Sequence, residues 1–162
     1  LIFKRLVMKL KKVLFIFAIC ISAHSFSQQK GDFSTFFGAS YQLINNSDMG
    51  VNAGFEYMFL DNTAFAPSFS YYFSAKGITT YSINLDMRYY LTYGAKLKYY
   101  GIGGFNYLTI KAGRITTNNI GINAGGGVIF ELNEKIGILG QLKYDSAGAT
   151  SIEPMIGVVF TF

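Results

Sequence analysis

The chain has 162 residues, of which 51% are hydrophobic, 17% aromatic and 14% charged, and its formal net charge is +5. That length allows one domain, and so much Phe, Tyr, Ile, Leu and Val excludes a disordered chain. A lone cysteine excludes a disulfide-stapled fold, and the positive charge raises a nucleic acid or an anionic membrane surface as partner until the charge is located.

Residues 1–27 read as an export signal. Met8, the expected true start, is followed by Lys9, Lys11 and Lys12, the apolar run Val13–Ile21, and the small-residue stretch Ser22–Ser27. This is the basic, apolar and cleavable arrangement of a secretory signal, and its apolar run is too short to span a bilayer. Ser25 and Ser27 suit cleavage before Gln28, with cleavage after Ala23 as the second choice. Cys20 follows Ile19 rather than a small residue, which fits a spacer better than a lipid-attachment site.

Removing the leader relocates the charge. Lys4, Arg5, Lys9, Lys11 and Lys12 leave with it, so nine basic residues balance nine acidic ones in 28–162. Cys20 and His24 also leave. The remainder has no thiol or imidazole, so neither a cofactor nor a metal centre is expected, and histidine acid–base catalysis is excluded.

From Phe33 onward apolar side chains recur at every second position, the period of a strand with two unlike faces. Eight strands are expected, at about 32–43, 49–60, 63–74, 80–92, 96–109, 119–132, 136–145 and 150–162. The fourth is the clearest: Tyr81, Ile83, Leu85, Met87, Tyr89 and Leu91 alternate with Ser82, Asn84, Asp86, Arg88 and Tyr90. The fifth is ambiguous, because Gly101 and Gly103 share a face with Leu97, Tyr99, Phe105 and Tyr107 and invite a bulge. Breaks at 60–63, 92–95 and 132–135 are tight turns, whereas 44–48, 74–79, 111–118 and 145–149 are longer. The expected fold is all-β, an eight-stranded antiparallel up-and-down barrel.

The two faces decide which way round the barrel is. One is nearly all Phe, Tyr, Ile, Val, Leu, Met and Ala. The other is Gly, Ser, Asn and Thr with Glu56, Asp86, Arg88, Lys98, Glu131, Lys143 and Glu153. Such a face cannot form the dry interior of a soluble calyx, so it is expected to line a lumen while the apolar face meets lipid. Apolar-face aromatics gather towards both strand ends around an aliphatic middle, as bilayer interfaces require.

The signal segment, the eight strands and the ending Val158–Phe162 resemble the small outer-membrane β-barrel family of Gram-negative bacteria (OmpA/OmpX-like or PorT-like). The resemblance covers about 28–162. It implies a cell outer membrane location, outer-membrane lipid as surroundings, and recognition by the barrel-assembly machinery through Phe162 and Phe160 with Val158 and Ile156 behind them. The family includes anchors, adhesins, channels, secretion accessories and enzymes. Its enzymes carry a catalytic histidine, which residues 28–162 lack, so no enzymatic activity is expected.

Tight hairpins would place Glu56, Ser68 and Asp86 at similar depth, with Arg88 one step nearer the tight-turn end. Lys98 would face Glu131 low in the barrel, and Lys143 would face Glu153 near the other mouth. Buried charges pair because leaving them unpaired is costly. The network reads either as a gate on a narrow ion path or as a plug, and eight strands favour the plug. Gly101–Asn106 and Gly125–Gly127 are strand glycines rather than phosphate loops, and Asp61–Asn62 and Asn133–Glu134 are turn residues. Dispersed basic residues leave no nucleic-acid footprint. The expected role is structural, in membrane integrity or surface contact. The alternative is a small channel or a secretion accessory with an envelope partner.

Overall fold

A computed structural model describes residues 30–43, 48–74, 78–92, 96–148 and 150–162. The expected leader, with Met8, Cys20, His24 and the cleavage sites, lies outside the described residues.

The alternating segments form eight strands: β1 (Phe33–Tyr41), β2 (Met49–Leu60), β3 (Thr63–Phe73), β4 (Ile78–Tyr90), β5 (Leu97–Ala112), β6 (Ile115–Glu131), β7 (Ile136–Asp145) and β8 (Ser151–Thr161). Each pairs antiparallel with its sequence neighbours, and β1 pairs with β8 from Ser34↔Thr161 to Ser40↔Met155, so the sheet closes. Closure gives every strand a partner on both sides, save the outer part of β6 beyond Asn123, which pairs with β5 alone.

The stagger follows from the ladders. The row Phe33, Tyr57, Phe65, Met87, Gly103, Ala124, Tyr144, Ile152 circles the barrel once. It returns to the first strand at Leu43, whose N–H donates to the Ile152 carbonyl at 2.9 Å. That ten-residue advance tilts the strands by roughly 40° and leaves an interior just wide enough for side chains.

Alternation sets the two faces. Phe37 is 53% exposed and Ile156 67%, both on the outer surface. Their inward-facing neighbours Phe36 and Met155 are buried. Outer aromatics cluster at both ends: Phe33 lies 5.7 Å from Phe55 and 6.1 Å from Phe162 at the tight-turn end, and Phe69 lies 6.0 Å from Tyr81 towards the other.

Three expectations are corrected. The ladders on both sides of β5 run without a register shift through Gly101 and Gly103, so no bulge interrupts it. A register shift lies instead between Met58 and Leu60, where β2 meets β3. The segment 111–118 is no loop either: Lys111↔Thr116 and Ala112↔Ile115 continue the ladder to a turn at Gly113 and Arg114. The extended preference of Ile115, Thr116 and Thr117 carries β6 outward, and Gly113 takes the left-handed φ of 60° that a two-residue hairpin demands.

Third, the inner face is not uniformly small and polar. Phe36, Met58, Ala64, Tyr90, Tyr100, Ile102, Ile129, Leu139, Met155 and Val159 form one buried apolar cluster inside the tight-turn half of the barrel. Inward glycines make room for the rings. A Cβ on Gly54 would stand 2.5 Å from Phe36 Cζ, and one on Gly50 would stand 2.7 Å from Tyr72 Cδ1. Ring-over-glycine contacts of this kind fill a lumen whose wall curves sharply.

Candidate functional site

The inward residues arrange in levels along the barrel. At the tight-turn rim Lys98 and Glu131, from adjacent β5 and β6, form an ion pair, with Glu131 the more accessible partner. Their strands bring them close because Glu131 N–H donates to the Lys96 carbonyl.

Inside the apolar cluster sits a second pair. Arg88 Nη1 on β4 donates to Glu56 Oε2 on β2 at 2.9 Å, and both side chains are 3% exposed. The strand between them presents Ala64 and Ala66, small enough for the pair to close across β3. Tyr90 Oη donates to Glu56 Oε1 at 2.8 Å. Arg88 Nη2 donates to Gln141 Oε1 at 3.1 Å, which also accepts from Tyr100 Oη at 3.1 Å. The guanidinium carbon lies 4.4 Å from the Phe36 ring centroid and 4.8 Å from that of Tyr100. A delocalised, weakly hydrated guanidinium tolerates such a dry sandwich better than an ammonium would.

Above this level the lumen turns polar. Lys143 Nζ stands 3.6 Å from Asp86 and donates to Asn84 Oδ1 at 3.0 Å. Asn84 Oδ1 also accepts from Asn106 Nδ2 at 2.9 Å and from Asn123 Nδ2 at 3.1 Å. Asn123 Nδ2 reaches Asp86 Oδ1 at 2.8 Å, and Asn106 Nδ2 reaches Asp145. On the other wall Asn52 Nδ2 donates to Ser40 Oγ at 2.7 Å while Ser70 Oγ donates to Asn52. Tyr72 Oη donates to Glu153 Oε2 at 2.7 Å.

These contacts amend two expected neighbourhoods. Lys143 and Glu153 are opposite in the β7–β8 ladder, yet the ammonium crosses the lumen to Asp86, and Glu153 is held by Tyr72. Ser68 pairs with Gly54 and Asn84 and so lies one step nearer the longer-loop end than Asp86, which pairs with Ala66. Tyr72, Tyr90, Tyr100, Gln141, Asn106 and Asn123 belong to the network without having been singled out from the sequence. Their inward parity was readable; their reach across the lumen was not.

Just past β7 the chain packs against the inner face of β6 at Gly121. Ala147 is 2% exposed and its N–H donates to Asp145 Oδ1 at 2.7 Å. Position 121 opposite must be glycine, because a Cβ there would run into the Ala147 backbone. Asn133 acts as a turn former: its Oδ1 accepts from the N–H groups of Lys135 and Ile136, both at 2.9 Å. Among the described residues no three His, Cys, Asp or Glu side chains gather as a ready metal cluster.

The outward positions of Ile156, Val158, Phe160 and Phe162 form one apolar stripe down β8 to the tight-turn end, where Phe162 N–H donates to the Phe33 carbonyl at 3.0 Å. It lies at the seam where the last strand meets the first.

No protein-family model matches the chain, and no curated protein matches it by sequence. Solved structures do share its fold. The N-terminal β-barrel domain of Pseudomonas aeruginosa OprF aligns with TM-score 0.71 at 16% identity, over 83% of this chain and 100% of that one. OprG, an outer membrane protein of the same organism, aligns with TM-score 0.68 at 17% identity, over 84% and 98%. Neisserial surface protein A aligns with TM-score 0.63 at 15% identity, over 83% and 98%. The fold is thus that of the small eight-stranded outer-membrane β-barrels.

Proposed function

We propose that this chain, built on the fold of the small outer-membrane barrels, is a non-enzymatic protein of the cell outer membrane with a structural, membrane-integrity or surface-contact role and a closed lumen. The observation that carries the reading is the inversion of its faces: large apolar side chains outside, buried charge pairs inside. In water that outer surface would be an apolar patch far beyond what monomers expose; in a bilayer it is simply solvated.

The closed lumen is supported by Arg88. Its guanidinium sits between two rings and against Glu56 and Gln141, so an ion passing along the axis would have to displace a buried, charge-paired side chain. The neighbours are themselves described as an outer membrane protein and a surface protein, which accords with this reading. Assembly in this account proceeds through the barrel-assembly machinery, with Ile156, Val158, Phe160 and Phe162 as the segment recognised.

The second reading is a small channel or a secretion accessory with an envelope partner. It draws on the polar and charged side chains that run from Lys98 and Glu131 at one rim to Asp145 and Glu153 near the other. Planar-bilayer recording on the refolded protein separates the two. The closed-lumen reading expects no unitary conductance from the wild type or from Arg88→Ala. Stable conductance steps in the wild type would overturn it in favour of the channel.

A further inference from the structure

We propose that the outer edge of β6, from Ile115 to Ile120, is a docking edge for an extended acidic segment of a partner protein, which adds to it as an antiparallel strand. This rests on the surface-contact reading and names the kind of partner that such contact takes.

Unequal strand lengths create the edge. β5 and β6 pair as far as Ala112↔Ile115, whereas β7 ends at Asp145, whose partner on β6 is Asn123. β5 is covered on its other side by β4, up to Ile78↔Ala112. The last contact on the β7 side of β6 is Ser146, whose N–H donates to the Ile122 carbonyl at 3.1 Å. Beyond it the chain after β7 packs on the inner face at Gly121 rather than along the edge.

Hydrogen-bond parity identifies the open groups. Glu131 N–H donates towards β5, to the Lys96 carbonyl, so odd-numbered residues of β6 turn their backbone groups to β5. Ile122 faces the other way, and its N–H donates to Ser146 Oγ at 2.9 Å. The β5–β6 ladder runs through both points and on to the turn without a register shift. Thr116, Asn118 and Ile120 therefore aim N–H and C=O away from β5, where no described residue pairs with them. Open backbone groups cannot lie in hydrocarbon, so this part of the hairpin stands in water.

The edge is also unguarded. Strand edges that stay single are blunted by lysine, proline or a bulge. From Ile115 to Phe130, β6 has no charged residue and no proline. Ile115–Thr116–Thr117 has high strand preference, and Ile115 and Ile120 are 70% and 76% exposed. Main-chain groups of this kind supply affinity for an added strand, while alternate side chains supply specificity.

Charge selects the occupant. Between Asp86 and Glu131 the sequence holds no acidic residue, while Lys111 and Arg114 lie at the hairpin tip. Lys111 leans towards β4, 5.5 Å from the Tyr81 ring centroid, and Arg114 stands exposed in the turn. β6 runs from the tip towards the barrel, so an antiparallel guest runs towards the tip and brings its C-terminal end to Arg114. The matching segment has β-branched residues opposite Thr116 to Ile120, followed by Asp or Glu. A second copy does not fit, because two antiparallel β6 edges would point their barrels in opposite directions, which one membrane does not allow.

The test uses the folded chain in zwitterionic nanodiscs and a labelled synthetic peptide of alternating Thr and Val ending in Asp-Asp. Amide exchange in the free barrel should be fast at Thr116, Asn118 and Ile120 and slow at Thr117 and Asn119. The peptide should bind saturably and slow exchange at the first three. Moving its two Asp to the N-terminus, or Arg114→Glu, should weaken binding about fivefold, the scale of an exposed charge pair reversed. Asn118→Pro removes an edge N–H but no bond to β5, so the unfolding temperature should hold while binding falls roughly tenfold. Thr116→Pro, nearer the tip, should act in the same way. Slow exchange at Asn118 in the free barrel, no saturable binding, binding indifferent to both proline variants, or self-association through this edge would each overturn the site. A peptide that fails to bind an intact, non-conducting barrel overturns the edge alone, whereas conductance steps overturn the closed-lumen reading and leave the edge standing.

Discussion

Arg88 and Glu56 meet at 2.9 Å although they belong to strands that are not neighbours, and the alanines of the intervening strand make the crossing possible. The pair therefore ties β2 to β4 across β3, from within the apolar half of the lumen. The guanidinium is held there by Glu56, Gln141 and the rings of Phe36 and Tyr100, with its Nε–H left unpartnered, while Tyr90 donates to the Glu56 carboxylate.

Arg88→Ala should accordingly lower stability by about 3–5 kcal/mol, the cost of stranding a buried partner. Urea titration of the micelle-folded barrel measures this. Replacing both members with apolar residues, Arg88→Met with Glu56→Leu, should recover most of the loss. A loss in the double variant as large as in the single one would mean that the pair acts through something other than its charge.

The inward glycines make a second, packing-based prediction. Gly54→Ala would push a methyl against Phe36 Cζ and against the Pro67 carbonyl, 2.7 Å away. Overpacking of this kind costs about 1–3 kcal/mol. Combining it with Phe36→Leu should return part of that, so the two changes should be non-additive by at least about 0.5 kcal/mol. Strict additivity would show that the ring is not what fills the hollow.

Depth on the outer face supplies a third. Ile156 lies at mid-height and is 67% exposed, whereas Ile115 is 70% exposed at the tip of the β5–β6 hairpin. Arginine at the first position should cost about 2–4 kcal/mol in a bilayer and at the second about 0–1 kcal/mol. Equal costs in lipid-folded protein would remove the case for a membrane boundary between the two sites.

A fourth concerns assembly. Phe162 is 78% exposed and ends the outward stripe of the last strand. Phe162→Asp should reduce the amount of folded barrel in the outer membrane severalfold while leaving unaided refolding in detergent nearly unchanged. Equal losses in both assays would mean that the residue serves stability rather than recognition.

What the sequence made readable was the part governed by period two. Alternation along Tyr81–Leu91 or Ile152–Phe162 determines both strand and facing, because a slip of one residue would exchange outer face for lumen. Less readable was anything decided across the lumen. Lys143 has Glu153 beside it in the ladder, but its long stem reaches Asp86 over Gly104, and only the closed geometry reveals that choice. Phe36, Met58 and Ile102 share parity with polar residues, so the apolar cluster emerges only once the tilt brings them to one level. Thr116–Asn118 looked like a polar loop because polar residues can continue a ladder as well as end one.

The most direct test of an apolar outside around a closed inside is spin-label accessibility in lipid. Cys20 is the only cysteine in the sequence, and it lies in the expected leader. With Cys20 replaced by serine, single labels at Leu85 and Ile138 on the outside and at Ser70 and Ser82 on the inside can be read without interference. Strong collisions with oxygen and weak ones with a water-soluble nickel chelate are expected at the first two, and weak collisions with both at the second two. Strong nickel contact at Ser70 and Ser82 would mean an open, wet lumen, and strong nickel contact at Leu85 and Ile138 would mean that the apolar face does not meet lipid.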